Sequence, residues 1–498
     1  MSSISTRDYL RELAAVAALG AVLAPLFAIP AARAAEPAAA GQVAGSIGSV
    51  VDGLVANALH ANLEIDAAGA SVAERLAALD AARARYLPAL DFNARYSAAD
   101  GGRVINIPVG DLVNPVYSTL NQLTGTSRFP QIANQQINFL RSREQDTKLT
   151  LTQPLYDARL GPARAAAAAD YDAANANRGA LASRIQRDMR TAYYRWLEAR
   201  AQVSVLEATL ELARENRRVN ESLFRNGKIT RDLVYRAEAD VLEVEQSLLG
   251  ARNGVVLAQS YVNLLRNSDF EVALPLAAVA DADVAALKTQ LAVRIGNGSF
   301  DYQRLATAAL DRRAEIRELD AEVAAAEAGE HLARAAYRPQ LALSVDAGTQ
   351  GAGYGLSTED RYVLASVVLK FNLFAGGGDR AGVAGAHERR HNALAGKSLA
   401  EQRIRLEVQQ ALQQFEVAEA SLGTAAKRVE AAQGAFRIAE RKRDLGQINP
   451  AEFVDARRVL TDAELNLNVT RFTALGSLAD LEYAVGPGRR PLLPDASP

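Results

Sequence analysis

Hydrophobic residues recur at alternating steps of three and four along two long stretches of the chain, residues 185–213 and 404–432. Each hydrophobic position in the first stretch has a counterpart 219 residues later in the second. This spacing is a heptad repeat, which predicts helices that pack as coiled coils. The pattern restarts after Gly227 and again after Gly446. Each half of the chain is therefore predicted to contain a long helix, a glycine turn and a shorter returning helix.

The long helices are predicted over about 160–225 and 379–444, and the returning helices over 231–266 and 451–484. At 1.5 Å per residue, a helix of about 60 residues is roughly 90 Å long. Many of the heptad core positions are alanine, which lets neighbouring helices approach closely. A helix of this length is far longer than a globular domain of this size needs.

Two short segments with period-two alternation precede each long helix, and they predict strands. The four predicted strands cover about 89–97, 146–156, 340–348 and 361–374. In the first of them, Leu90 and Phe92 alternate with Asp91 and Asn93. The polar positions of the strands include full charges, which suits a wet lumen, whereas the apolar positions suit lipid. This is the pattern of a sheet that separates lipid from water.

The two halves of the chain also match before the strands. The segment from Leu59 to Pro88 aligns with the segment from Leu310 to Pro339 at an offset of 251 residues. A first structural repeat is therefore predicted over 35–266 and a second over 301–486. The first repeat carries about 32 extra residues, which fall in the segment 98–145. We expect this segment, and the glycine-rich connection between the last two strands, to be external loops.

The ends of the chain and the junction of the repeats differ from the repeats themselves. Residues 1–34 are predicted to be a signal peptide, because Arg7 and Arg11 precede an apolar run too short to be a convincing membrane span. Residues 267–300 are predicted to link the repeats. Residues 487–498 are predicted to be a flexible tail.

No segment after the leader has the roughly 20 consecutive apolar residues that a transmembrane helix requires. A chain that crosses a membrane without such a helix needs a closed barrel. Four strands cannot close a barrel, since the smallest membrane barrels have about eight. The strands must therefore combine with those of other chains. The alternative is that they stay in water, as part of a soluble periplasmic coiled-coil scaffold.

The amino-acid composition of the chain limits the classes of molecule that it is expected to bind. The chain has 56 basic and 58 acidic residues, and this balance argues against a nucleic-acid partner, which usually needs a basic excess. It has no cysteine, so an exported form must be stabilised by packing without disulfides. The same absence rules out an N-terminal lipid attached to cysteine.

The chain resembles the TolC family of outer-membrane efflux and secretion ducts. The resemblance spans roughly residues 50–486 and includes the order of helices and strands in each repeat and the glycine turns. The segments that carry it are 82–90, 153–157, 334–341 and 371–374. No single segment is as specific as a metal-binding cysteine motif, but the ordered duplication is specific as a set.

The resemblance implies a mainly α-helical homotrimer that contributes three sets of four strands to a twelve-stranded barrel in the outer membrane. The helices would continue the barrel as a periplasmic tunnel. It also implies a passive exit duct of a tripartite efflux pump or a type I secretion system, without enzymatic activity or a cofactor. The implied partners are a periplasmic adaptor and an inner-membrane transporter of the RND or ABC class.

The glycine turns are the first candidate sites, because the family docks its adaptor at the periplasmic tips of the tunnel. By this resemblance, the docking residues are predicted to be two groups of three. They are Asn226, Gly227 and Lys228 in the first repeat, and Leu445, Gly446 and Gln447 in the second.

Charged residues beyond the turns are the second candidate site. Glu452 and Asp455 lie three residues apart on one helix face, where the family carries acidic residues that line the channel entrance. In a trimer they would form a ring of carboxylates that attracts cations. The first repeat departs from this pattern, because Leu233 holds the position that matches Glu452 and Asp232 lies one position earlier. Arg443 stands where the family can use an aromatic residue, and we hypothesise a closing latch from Arg443 to Asp232 or Glu452.

One motif points to a different chemistry. His387, Glu388 and His391 form a His-Glu-x-x-His pattern on a predicted helix, which is the zinc-binding motif of many metallopeptidases. A third ligand would have to be a carboxylate such as Glu416. The two intervening arginines oppose a metal ion, so a zinc peptidase is the remote alternative.

Overall fold

Long helices with a heptad pattern and a small antiparallel sheet make up the computed structural model, which describes residues 46–296, 300–353 and 359–486. The predicted signal peptide, 1–34, and the predicted tail, 487–498, lie outside the described residues. The helices are α1 (Ile47–Ala61), α2 (Leu63–Ala84), α3 (Val109–Thr124), α4 (Leu160–Arg225), α5 (Arg231–Leu265), α6 (Asp281–Gly296), α7 (Tyr302–Arg312), α8 (Ala314–Arg334), α9 (Gly378–Asp444) and α10 (Pro450–Val485). The strands are β1 (Ala89–Ala98), β2 (Val104–Ile107), β3 (Gln135–Asn138), β4 (Arg143–Asp157), β5 (Gln340–Gly351) and β6 (Arg361–Lys370).

The heptad stretches form two very long helices, α4 with 66 residues and α9 with 67. Their buried positions follow the predicted heptads, and Trp196 on α4 and its counterpart Phe415 on α9 are almost completely buried. The returning helix α5 packs against α4, and the returning helix α10 packs against both α9 and α4. The order α5, α4, α10, α9 therefore places the two repeats side by side.

The main sheet joins the two repeats in the order β1, β4, β5, β6, with every neighbouring pair antiparallel. β1 and β4 come from the first repeat, and β5 and β6 from the second. β6 ends at Lys370, before the predicted end near residue 374. The chain turns away here because the side chain of Asn372 donates a hydrogen bond of 2.7 Å to the carboxylate of Asp379, near the start of α9.

The segment 98–145 is more structured than the loop that the sequence predicted. It contains α3 and a two-stranded hairpin of β2 and β3. Asn114 bonds the backbone N–H and C=O of Ile132, and Asn121 does the same for Phe129, so asparagine side chains fasten α3 to the chain that follows it. The prediction missed α3 because asparagine and an internal proline normally indicate loops.

The junction between the repeats also folds against the long helices. α6 and α7 share a hydrophobic core with α9 and α10, in which Leu291, Leu305, Phe415 and Leu481 are buried. Within the residues that the structure describes, every helix is too short or too polar to cross a membrane.

Candidate functional site

The main sheet exposes large apolar side chains on one face. Leu90 and Phe92 on β1 are 65% and 68% exposed, and Val363 and Val367 on β6 are 76% and 63% exposed. The register places Leu90, Leu151, Val345 and Ala365 in one row across the four strands. A monomer therefore does not bury this face in its own body, and a face of this kind requires an apolar environment.

The opposite face of the sheet carries a network of charged and hydroxyl groups. Lys148 Nζ lies 2.8 Å from a carboxylate oxygen of Asp346, and Thr150 donates to the other oxygen at 2.7 Å. Farther along the strands, Asp146 accepts a hydrogen bond from Tyr362 and lies 4.0 Å from Arg95. Charges placed at this density need water beside them, so this face is suited to line a hydrated lumen.

The two glycine turns have the same geometry. The backbone of Gly227 has φ +68° and that of Gly446 has φ +66°, a conformation that favours glycine. The N–H of Lys228 bonds the carbonyl of Leu223 at 2.9 Å, and the N–H of Gln447 bonds the carbonyl of Lys442 at 2.8 Å. Both turns are thus Schellman caps that end a long helix and leave the exposed turn residues free to contact a partner.

The predicted acidic residues lie near these turns. Glu452 lies in the first turn of α10 and Asp455 follows three residues later. Both are exposed, as is Asp232 at the start of α5. Asn449 caps α10 by accepting a hydrogen bond from the N–H of Ala451, which fixes the start of that helix. The fold therefore presents all three carboxylates to solvent at the same end of the molecule as the turns.

The structure does not form the predicted latch within the chain. Arg443 stacks on the ring of Phe453 at 4.6 Å and contacts Asp444 at 3.2 Å. Glu452 instead pairs with Lys442, at 3.2 Å. The reason is helical geometry, because Arg443 and Lys442 point in directions about 100° apart and only the lysine faces Glu452.

A buried ion pair near the entrance was missed by sequence reasoning. Arg457 on α10 is 4% exposed and lies 2.5 Å from the carboxylate of Asp240 on α5. The two residues are 217 positions apart, so the contact joins the returning helices of the two repeats. Both are charged residues of the kind that usually face solvent on a helix. Nothing in the neighbouring sequence indicates that they form a buried pair.

A second cluster, centred on the buried residues Arg190 and Glu482, joins four helices. Glu482 on α10 pairs with Arg190 on α4 and with Arg294 on α6, the latter at 3.1 Å. Arg190 also contacts Asp52 on α1 at 3.1 Å. Burial raises the pKa of the neighbouring Tyr194 to about 12, so its hydroxyl remains protonated at neutral pH. These ion pairs position α1 and α6 against the long helix.

The His-Glu-x-x-His motif does not gather the ligands that a zinc site needs. His391 and Glu416 lie on the same straight helix, α9, 25 residues apart, which corresponds to about 37 Å. The Nδ1 atom of His387 is 3.6 Å from Glu330, but arginines also occupy that carboxylate. Among the described residues, no group of three or more histidine or acidic side chains is placed to hold a metal.

The sequence model of the outer membrane efflux protein family matches residues 54–266 and 305–487, which covers most of both repeats. No curated protein matches the chain significantly.

Solved structures of outer-membrane proteins share the fold at low sequence identity. The CmeC outer membrane channel of Campylobacter jejuni is 16% identical, with a TM-score of 0.72 over 93% of this chain and 94% of that chain. VceC of Vibrio cholerae is 18% identical, with a TM-score of 0.70 over 89% and 97%. The MtrE outer membrane channel of Neisseria gonorrhoeae is 19% identical, with a TM-score of 0.68 over 94% and 98%. Because the family match covers both repeats, the chain belongs to the outer membrane efflux protein family.

Proposed function

We propose that the protein is the outer-membrane channel of a tripartite efflux pump or a type I secretion system. It is a passive exit duct for substrates that an inner-membrane transporter delivers through a periplasmic adaptor. The observation that carries this function is the two-faced sheet, with exposed Leu90 and Phe92 on one side and the Lys148–Asp346 network on the other. The sheet lies in the outer membrane and the long helices extend into the periplasm.

The ends of the sheet support a homotrimer. β1 and β6 are its outer strands, and four strands are too few to close a barrel. Because four is an even number, β6 of one chain runs antiparallel to β1 of the next. Three copies therefore close a continuous antiparallel barrel, which leaves no strand edge exposed to lipid.

Exposed apolar stripes on the helices also favour association between chains. Four apolar or aromatic side chains on α5 recur every seven residues and are 56%, 58%, 72% and 60% exposed. They are Tyr235, Leu242, Leu249 and Val256. This stripe lies beside the buried stripe that packs on α4. A second, unburied heptad row on α9 includes Val417 and Ile438. We assign these two stripes to the contact between neighbouring chains.

The site residues acquire their roles in this assembly. The exposed turns at Gly227 and Gly446 are the docking tips for the periplasmic adaptor. The carboxylates of Glu452 and Asp455 form a ring at the periplasmic entrance, with Asp232 beside it. Such a ring favours cations over anions, because like charges are excluded from a narrow passage.

Membrane fractionation tests the proposed function. We expect the mature protein in outer-membrane fractions, as a trimer that runs as a monomer only after heating, and as a conducting pore in planar bilayers. Leu242→Asp together with Leu249→Asp should abolish the trimer, whereas Ser247→Asp adds a charge to an exposed position on another face of α5 and should not. A wild-type protein that is a water-soluble monomer in the periplasm would disprove the proposal.

A further inference from the structure

A polar pocket lies between the end of α8 and the start of α9, directly beside the point where the helices meet the sheet. It is a depression open to solvent, with a volume of about 480 Å³. Its polar lining residues are Glu330, Arg334, Tyr337, Arg380, His387 and Glu388. The pocket thus contains half of the His-Glu-x-x-His motif, for which the channel function has no role.

The centre of the pocket is a buried carboxylate surrounded by cations. The side chain of Glu330 is only 3% exposed, and it pairs with Arg334, with Arg390 at 3.4 Å and with His387 at 3.6 Å. Its desolvation raises the pKa of Glu330, but these cations outweigh that effect and hold the pKa below its usual value. The acid is therefore ionised at neutral pH and keeps the basic side chains around the pocket.

The internal duplication shows that the fold does not need this cluster. The counterpart of Glu330 in the first repeat is Leu79, which is also 3% exposed. The counterparts of Arg380 and His387 are Gly161 and Ala168. An apolar side chain therefore fills the same buried place, and the polar cluster is a property of the second repeat alone.

The charges of the pocket favour an anion. Two arginines, Arg334 and Arg390, pair with Glu330. Arg380, in the first turn of α9, adds another guanidinium. Arg334 and Arg380 line the pocket and Arg390 approaches Glu330 from beside it, so the cluster has three arginines against two carboxylates, those of Glu330 and Glu388. The start of a long helix contributes further positive potential. Guanidinium groups bind phosphate oxygens with two parallel hydrogen bonds, and they oppose a metal cation.

The surroundings of the pocket are apolar and exposed. Tyr337 lines the pocket, and Phe371, Leu373 and Phe374 lie along the chain between β6 and α9; all four are exposed. Aromatic side chains in this arrangement mark the boundary between the hydrocarbon region and the headgroups of a bilayer. Basic pockets just outside such a belt bind lipid headgroups.

We propose that this pocket binds the phosphate headgroup of an anionic phospholipid in the periplasmic leaflet of the outer membrane, with the acyl chains against the aromatic belt. The inference rests on the proposed function, because only insertion of the sheet in that membrane brings the pocket to headgroup level. The bound lipid would fix the height of the channel in the membrane on the side of the second repeat.

Lipid retention by the purified trimer tests this site. Native mass spectrometry would count lipids that remain after delipidated protein is mixed with phosphatidylglycerol, with diacylglycerol of the same chains, or with inorganic phosphate. We expect up to one retained phosphatidylglycerol per chain and no retained diacylglycerol. Arg334→Gln with Arg380→Gln should weaken retention by about tenfold or more. The matched control is Arg83→Gln, at the counterpart of Arg334 in the first repeat, which should leave retention unchanged.

Two results would overturn the site. One is equal retention of phosphatidylglycerol by the double variant and the wild type. The other is binding of inorganic phosphate that matches the lipid, which would show a site for a soluble anion. Conductance of each variant in planar bilayers separates this failure from failure of the channel function. An intact conducting trimer that binds no lipid refutes only the pocket.

Discussion

Single buried charges connect helices that are remote in sequence. Arg457 and Asp240 join the two returning helices, and Glu482 holds Arg190 and Arg294 between α10, α4 and α6. Removing two charges from water is costly, and the mutual attraction of the partners offsets this cost only while both remain in place. The loss of one partner should therefore destabilise the protein more than the loss of any exposed pair.

Asp240→Asn should lower the free energy of unfolding by about 3 kcal/mol, because it leaves the Arg457 guanidinium buried without its counter-charge. Within the described residues, the Nη1 atom of Arg457 has no hydrogen-bond partner. That atom therefore offers no other contact that could replace the lost carboxylate. Urea unfolding followed by circular dichroism measures the change. The control is Glu452→Gln, which breaks an exposed pair and should cost less than about 1 kcal/mol. Equal losses for the two variants would contradict the assignment.

The pKa of Glu315 makes the stability of the protein depend on pH. Its desolvation raises that pKa, but Arg313, at 2.9 Å, outweighs the effect and lowers it below the usual value. A lowered pKa means stability that is present at neutral pH and disappears as the pH falls through the folded-state pKa. Glu315→Gln should therefore destabilise the protein by about 1.5 kcal/mol at neutral pH.

The difference in stability between Glu315→Gln and the wild type should be smaller at acidic pH than at neutral pH, because the wild-type carboxyl is neutralised as the pH falls through its folded-state pKa. Thermal unfolding at both pH values checks this expectation. Glu327→Gln, at an exposed position of the same helix, is the control and should show little difference at either pH. A difference that persists in acid would mean that packing, and not charge, accounts for the effect.

At the scale of elements, the residues at the buried heptad positions of α4 change in character along the helix. The buried stripe of α4 begins with large apolar residues such as Met189 and Trp196 and ends near the tip with Asn216 and Asn220. Buried asparagine lowers coiled-coil stability while it fixes the register. The tip end of α4 is therefore expected to be its least stable part, whereas α9 still buries an apolar residue, Phe436, near its tip.

The turn at Gly227 permits a direct test of backbone strain. Gly227→Ala should cost about 1–2 kcal/mol, because an L-residue at this positive φ brings Cβ too close to the backbone. Gly250→Ala, within α5 and with open space around the position, should instead stabilise by about 0.5–1 kcal/mol. Chemical unfolding of both variants measures the two changes. The same sign for both would show that positive φ does not determine the geometry of the tip.

At the scale of the whole molecule, the proposed ring of Glu452 and Asp455 requires the proposed trimer, because only three copies together supply enough carboxylates to surround a passage. Glu452→Gln with Asp455→Asn should shift the ratio of cation to anion permeability toward one, because the ring then lacks its charge. The reversal potential of single channels under a salt gradient measures this ratio. Glu238→Gln removes an exposed charge elsewhere on α5 and is the control. An unchanged ratio in the double variant would place the selectivity elsewhere.

Several whole elements could be predicted from the sequence. The strand predicted over about 89–97 forms as β1, and the long helix predicted over about 160–225 forms as α4. These predictions succeeded because the spacing of apolar residues shows which face of an element is apolar. The spacing is two residues in a strand and alternates between three and four in a helix. The α3 helix was missed, since its order depends on Asn114 and Asn121 binding chain that lies beyond it.

The sequence alone determined the duplication, the heptads, the two-faced strands and the glycine turns, because each is a local pattern that repeats at a fixed spacing. Only the tertiary structure decided which charges meet. It paired Lys442, and not Arg443, with Glu452, and it placed Asp240 against Arg457 and Glu330 among arginines. These contacts depend on the relative rotation of neighbouring helices. The sequence around a charged residue on a helix surface does not indicate which helix will lie beside it.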